Sequence, residues 1–283
     1  LRNCGVCYVQ LGSPDEALVY LQEALSLVDG DDGVAITAPV SSEDLCERER
    51  CHIELGNLYM DQFQSFSEHL ESGKAEEALD MAIDYYRNSQ ELAEELLTAP
   101  SDVGEVERLD CVARSTYNCG RAHYMAGDFD RAVDMLTKSI DFGAQLSGAV
   151  ERDVLSQDRD AEAEAALLAQ RNAIHADAHS ILGDSLVELD NFDRAREEYH
   201  RALAIFEQCE SNSLGDWPVG DTLAKLAALD IEAAVMGEDV ESRTALSSAA
   251  LESIDRLEAE TFKFINDTTG ALSGSDQQIR DLL

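Results

Sequence analysis

Three stretches of this 283-residue chain repeat one pattern. Asn3-Cys4-Gly5 opens NCGVCYVQLGSPDEALVYLQEAL, Asn118-Cys119-Gly120 opens NCGRAHYMAGDFDRAVDMLTKSI, and a third copy reads ILGDSLVELDNFDRAREEYHRALAI. The glycines are followed by Tyr8 or Tyr124, then Gly12 or Gly127, then Ala17 or Ala132; the third copy aligns Gly183, Asp190, Ala195, Tyr199 and Ala202. A period has to be settled before any motif inside it is read. The Cys4-x-x-Cys7 spacing of a redox dithiol or half a zinc site is therefore part of a repeat first, and chemistry second.

Each position has a physical reason. Small residues (Gly5, Gly56, Gly120 and Gly183, then Ala17, Ala78, Ala132 and Ala195) let two antiparallel helices approach closely. Tyr8 and Tyr59 fill the space beside them, and Gly or Asp at the turn accepts a positive φ. A second copy runs CHIELGNLYM then GKAEEALDMAIDYY. It separates Gly56 from Ala78 by 22 positions against 12 elsewhere, so ten residues, DQFQSFSEHL, lengthen its hairpin. A degenerate fifth copy is marked by Gly237 and an Ala-rich second helix. Four Pro, 17 Gly and long Ala, Leu, Glu and Arg stretches favour helix throughout.

A small residue, an aromatic, a turn Gly, then Ala, a large residue and Ala again: these residues resemble the tetratricopeptide repeat family. The resemblance implies an all-α fold, a TPR-like α-solenoid of antiparallel helix hairpins in a right-handed superhelix, each pair covering the apolar face of the last. The Gly5-equivalent positions fall at 5, 56, 120, 183 and 230, spaced 51, 64, 63 and 47 residues apart, longer than the family's roughly 34. A divergent, long-helix member is expected. Its hairpins cover approximately 1–29, 42–98, 101–147, 156–211 and 216–268, with a C-terminal tail over 269–283. Ser41 to Asp44 reads as a capping-box start, Pro100-Ser101 as the close of one hairpin and cap of the next helix, and Gly148 as a break. Residues 29–39 and 212–218 read as loops. On this register Cys4 sits where the family carries Leu, and the dithiol reading gives way to packing.

In this family the first helix of each pair lines the concave surface. Carried over residue by residue, the second copy places Arg50, Ile53, Asn57, Met60 and Asp61 there, and the third Arg114, Tyr117, Arg121, Tyr124 and Met125. The fourth places Asp177, Ser180, Asp184, Val187 and Glu188. The candidate partner-binding groove is thus Arg50, Asn57, Arg114, Tyr117, Arg121 and Tyr124, turning acidic at Asp177, Asp184 and Glu188. Arg and Tyr anchor interfaces; equally, the arginines could neutralise neighbouring carboxylates. Some members hold a chaperone's C-terminal carboxylate with a Lys, Asn, Asn, Lys, Arg set. Here those places hold Arg2, Val6, Asn57, Tyr117 and Arg121, and Val6 and Tyr117 break the pattern.

Composition narrows the function. With 58 acidic against 21 basic residues the net charge is −37, a field that repels nucleic acid and anionic membranes and attracts basic proteins. Adaptation to high salt would give the same balance. Seven Cys, an odd number at irregular spacing, fit buried reduced thiols in an intracellular, reducing compartment, the cytoplasm by default. No apolar run reaches membrane-spanning length. Leu1 falls within a helix, so a leader or upstream region is left open. His175 and His179 share a helical face but lack a third metal ligand. The acidic runs 29–32 and 158–165 suit a basic partner, or a loop and a solvated helix start. There is no phosphate loop, nucleophile elbow or zincin motif.

The expectation is a non-enzymatic protein-interaction scaffold or adaptor, a subunit of a larger assembly that buries a partner segment or a neighbouring subunit in its groove. No cofactor, metal, nucleic acid or membrane insertion is expected. The alternatives are an acidic chaperone for basic, histone-like clients and, more distantly, a regulatory domain of an enzyme.

Overall fold

The computed structural model describes residues 1–29, 41–98, 102–154, 161–209, 217–236 and 243–259. Among these every regular element is a helix: α1 (Arg2–Gln10), α2 (Pro14–Asp29), α3 (Ser42–Glu68), α4 (Ser72–Thr98), α5 (Glu105–Met125), α6 (Phe129–Val154), α7 (Ala161–Glu188), α8 (Phe192–Cys209), α9 (Trp217–Met236) and α10 (243–259). The fold is an all-α solenoid of antiparallel hairpins. The chain divides into two compact units, 1–160 and 161–283. In the first, each of α1 to α6 packs on its sequence neighbours, and α5 also reaches α3; in the second, α7 packs on α8 and α8 on α9.

The glycines set the hairpin spacing. A Cβ on Gly5 would lie 2.6 Å from Leu21 Cγ, on Gly120 2.8 Å from Leu136 Cγ, and on Gly56 and Gly183 2.5 Å from the rings of Tyr86 and Tyr199. The residue four positions before each of these is a fully buried alanine: Ala17, Ala82, Ala132 and Ala195. The structural partner of Ala17 in the second hairpin is therefore Ala82, not Ala78, one helical turn further on. Ala78 is buried as well, which is how the two trade places in a sequence reading.

That shift changes the size of the insertion. α1, α5 and α7 each run five residues past their glycine, whereas α3 runs twelve; α2, α6 and α8 start seven residues before the contact residue, α4 fourteen. The second hairpin is longer by seven residues in each helix, fourteen in all, and every one of the four turns is three residues long. Seven residues make nearly two turns, so both helices keep their facing sides.

Each of these turns closes with a residue in the left-handed region, Gly12, Leu70, Gly127 and Asp190 (φ 71, 58, 74 and 58°). The next N–H donates five residues back, as from Ser13 to Tyr8 O, Glu71 to Phe66 O, Asp128 to His123 O and Asn191 to Leu186 O. This is the Schellman geometry, which glycine accepts freely and an ordinary L-residue only at a cost of about 1–2 kcal/mol. Leu70 is the exception in side-chain type.

At the start of α3, Ser41 Oγ accepts from Asp44 N–H and Asp44 Oδ2 from Ser41 N–H, a capping box. α5 begins behind Gly104, with no side-chain cap, later than a cap at Ser101 would put it. Gly148 breaks nothing: α6 continues through it to Val154. Gly30 to Pro39, Pro100, Ser101, Asp158 to Asp160, Asn212 to Gly215, Gly237 and the tail lie outside the described residues. No described helix is long and apolar enough to cross a membrane.

The six cysteines whose side chains are described divide into two classes. Cys46, Cys51, Cys111 and Cys119 are buried, as expected, but Cys4 and Cys7 are exposed on α1. The repeat explains the contrast. Their equivalents Leu55 and Leu58 on α3, and Cys119 and Ala122 on α5, are buried by the hairpin before, and α1 has no such neighbour among the described residues. Burial raises Cys51 and Cys119 to about 11, so both stay protonated near neutrality and react poorly. In the native chain at pH 7.5, maleimide is expected to modify Cys4 and Cys7 about 100-fold faster than the four buried thiols. Peptide mass spectrometry over a labelling time course measures this, and equal rates would refute the packing.

Candidate functional site

The first-helix face of unit 1–160 comes from α3 and α5, and its side chains divide by what holds them. Arg50 donates from Nη1 to Glu47 Oε1 at 2.9 Å and from Nη2 to Glu107 Oε1 at 2.5 Å, tying α3 to α5. These carboxylates overcome the lowering effect of burial and keep its pKa above the usual value. Arg114 Nη2 lies 3.2 Å from Glu49 Oε2, and Nη1 lies 3.4 Å from Asp110. Glu49 is 0% exposed and also accepts from Ser89 Oγ. Both arginines thus neutralise carboxylates of their own unit, Arg114 as the counter-charge of a buried one.

Ile53 and Met60, expected along the groove, are buried in the core. Tyr117 is also buried, at 9% exposure. Tyr124 is half-buried and packs obliquely on Phe129, ring centroids 6.0 Å apart. Asn57 Oδ1 accepts from Tyr86 OH at 2.8 Å, so the ring that fills the space over Gly56 is pinned by the residue next to that glycine.

Arg121 occupies the same place after Gly120. The side chain facing Gly120 is Leu136, which has no hydroxyl, and Arg121 has no ion pair among the described residues. It is half-buried. Its charge reaches the Tyr86 hydroxyl, whose pKa burial drives well up while Arg121 pulls it down. The Asn57 and Tyr86 pair of α3 and α4 thus lies within the electrostatic reach of Arg121 on α5.

Unit 161–283 is built on the same device with the opposite charge. Asp184, next to Gly183, accepts from Tyr199 OH at 2.7 Å and from Lys225 Nζ at 2.9 Å. Lys225 also pairs with Asp221 and donates to Ser180 Oγ. Burial alone would lower Lys225, and the two carboxylates outweigh it. Asp177 is half-buried and Glu188 exposed. Lys225 was not among the expected groove residues; as one of four lysines in the chain, its isolation in an apolar helix was the available signal.

The rings of His175 and His179 meet at a tilt of 41°, 5.0 Å between centroids. His179 Nδ1 lies 2.6 Å from Oε2 of the buried Glu198, whose Oε1 accepts from Arg201; burial lowers His175 to about 4. No cluster of three metal-ligating side chains occurs among the described residues.

Comparison with solved structures returns tetratricopeptide-like repeat proteins. BtubC (BKLC) from P. vanneervenii superposes with a TM-score of 0.59 at 15% identity, covering 92% of this chain and 78% of that one. A Podosopora anserina protein of the kinesin light chain type, with nearly identical TPR-like repeats, gives 0.52 at 13% identity over 94% of each chain. No family model matches the sequence, and no curated protein matches it. The fold is that of a divergent TPR-like repeat chain.

Proposed function

We propose that this chain is a non-enzymatic protein-interaction scaffold or adaptor, serving as a subunit of a larger assembly in a reducing intracellular compartment. A partner segment docks against the first-helix face of α3 and α5 and places a carboxylate or backbone carbonyl on Arg121. The observation that carries this reading is Arg121 itself: a half-buried guanidinium without an ion pair among the described residues, in a chain of net charge −37. Carboxylates abound to neutralise it, and among the described residues none is placed to do so. An Arg fork over an aromatic-lined face is a common anchor of protein interfaces. Tyr124 and the Asn57 and Tyr86 pair supply its surroundings, while Arg50 and Arg114 serve the fold.

Affinity capture of partners on the wild-type and Arg121→Glu chains, washed at low and high salt, tests the reading. A salt-resistant partner is expected to bind the variant at least about 30-fold more weakly, a loss of about 2 kcal/mol. The net charge favours a second reading, an acidic chaperone. A set of basic partners that all leave at high salt, with the variant behaving as wild type, would replace the scaffold with that chaperone.

A further inference from the structure

The seven-residue extensions of α3 and α4 carry their turn about 10 Å beyond the point where an unextended hairpin would turn. At that apex stands Leu70, with φ of 58° and 88% of its surface exposed, the most exposed of the large apolar residues described. The three equivalent turn positions hold Gly12, Gly127 and Asp190, residues suited to the left-handed region. Glycine at 70 would relieve the backbone and remove an apolar side chain from water, so nothing among the described residues accounts for leucine. Strain and apolar exposure coincide at one residue, on the one lengthened hairpin among those with a described turn.

The surroundings define what could cover it. Phe63 and Phe66 lie half-buried on the adjoining turns of α3, with Lys74 Nζ 5.4 Å from the Phe66 ring centroid and 2.5 Å from Glu71. Between 61 and 80, Asp61, Glu68, Glu71, Glu76, Glu77 and Asp80 face a single basic residue, Lys74, and all six carboxylate residues are exposed. A second copy of the same apex would meet like charge.

We infer that the α3–α4 apex is a docking knob, separate from the groove, whose Leu70 enters an apolar socket with a basic rim on a partner protein. Strain of this kind persists where a function needs the side chain in place.

A synthetic amphipathic helix of leucine and lysine offers that chemistry, an apolar stripe bordered by ammonium groups. Its binding to the whole chain is read by fluorescence anisotropy at about 150 mM salt. The wild type is expected to bind it, Leu70→Met to match within about twofold, and Leu70→Gly to bind about tenfold more weakly. Leu70→Gly should also melt about 2–4 °C higher, showing that binding is lost without loss of fold. Glu68→Gln with Glu71→Gln should weaken binding and flatten its salt dependence. Arg121→Glu should leave it unchanged, which keeps failure of the knob distinct from failure of the groove. Undiminished binding by Leu70→Gly, or no binding by the wild type, overturns the inference.

Discussion

Arg114→Met is expected to destabilise the protein by about 3–5 kcal/mol at pH 7, the largest effect of any single substitution considered. The loss arises at Glu49, which is fully buried between α3, α4 and α5 and keeps only a 3.3 Å hydrogen bond from Ser89 once the guanidinium is gone. Burial raises the Glu49 pKa more than Arg114, Ser89 and Arg50 lower it. A carboxyl raised in this way gives stability below its unfolded value, near 4.5, that is lost as pH rises through the folded value. Without Arg114 the folded value climbs further and the loss near neutrality deepens. The gap between variant and wild type, measured by urea unfolding, should therefore narrow from pH 7 to pH 5. Adding Glu49→Gln should recover much of it, since the uncompensated charge, not the missing contact, carries the cost. An equal gap at both pH values would mean that another cation, with Arg50 nearest in the electrostatics, takes over the role.

Gly56→Ala should cost about 3 kcal/mol, the next largest effect. Its methyl would lie 2.5, 2.7 and 3.0 Å from three ring atoms of Tyr86. The ring cannot yield, being 1% exposed and held by Asn57. Gly73→Ala, in the extension of α4 with nothing within 4 Å of the added carbon, is the control: it should stabilise by about 0.5–1 kcal/mol. Thermal melts of the two variants separate close packing from helix propensity. Matching losses would show that backbone entropy, not the tyrosine, governs both positions.

These two sites also mark what the sequence could disclose. The hairpin glycines were legible because a glycine inside a helix, at a fixed distance from a bulky residue, has few reasons to exist other than close approach. Gly12, Gly127 and Asp190 were legible at their turns for the same kind of reason, and Leu70 was not. Ala82 was not, because α4 carries alanine at 75, 78, 82 and 93, all buried, and alanine does not announce which turn it faces. The discriminating residue was Tyr86, whose ring faces Gly56.

For Arg114 the sequence left both roles open, groove anchor and counter-charge, for a related reason. Glu47-Arg48-Glu49-Arg50 has the alternating charge of a solvated face, and only the packing of α5 shows that its third member is sealed inside. Arg121 was proposed alongside Arg50 and Arg114 on equal terms. They differ in whether a carboxylate on another helix comes within reach, which depends on tertiary packing and is absent from any local pattern. The exposed cysteines follow the same rule, since Cys4 and Cys119 share a sequence context and differ in that, among the described residues, only Cys119 has a preceding hairpin against it.

Fourteen inserted residues, divided equally between the two helices of one hairpin, leave the phase of both almost untouched, because seven residues fall only about 20° short of two full revolutions. An odd allotment, say four and ten, would rotate one helix out of step and turn Tyr86 away from Gly56. Reach in such a chain is thus quantised. It can be lengthened or trimmed in paired heptads while the stacked ends stay as they are, so evolution or an engineer could tune the projection of one arm independently of everything it stands on.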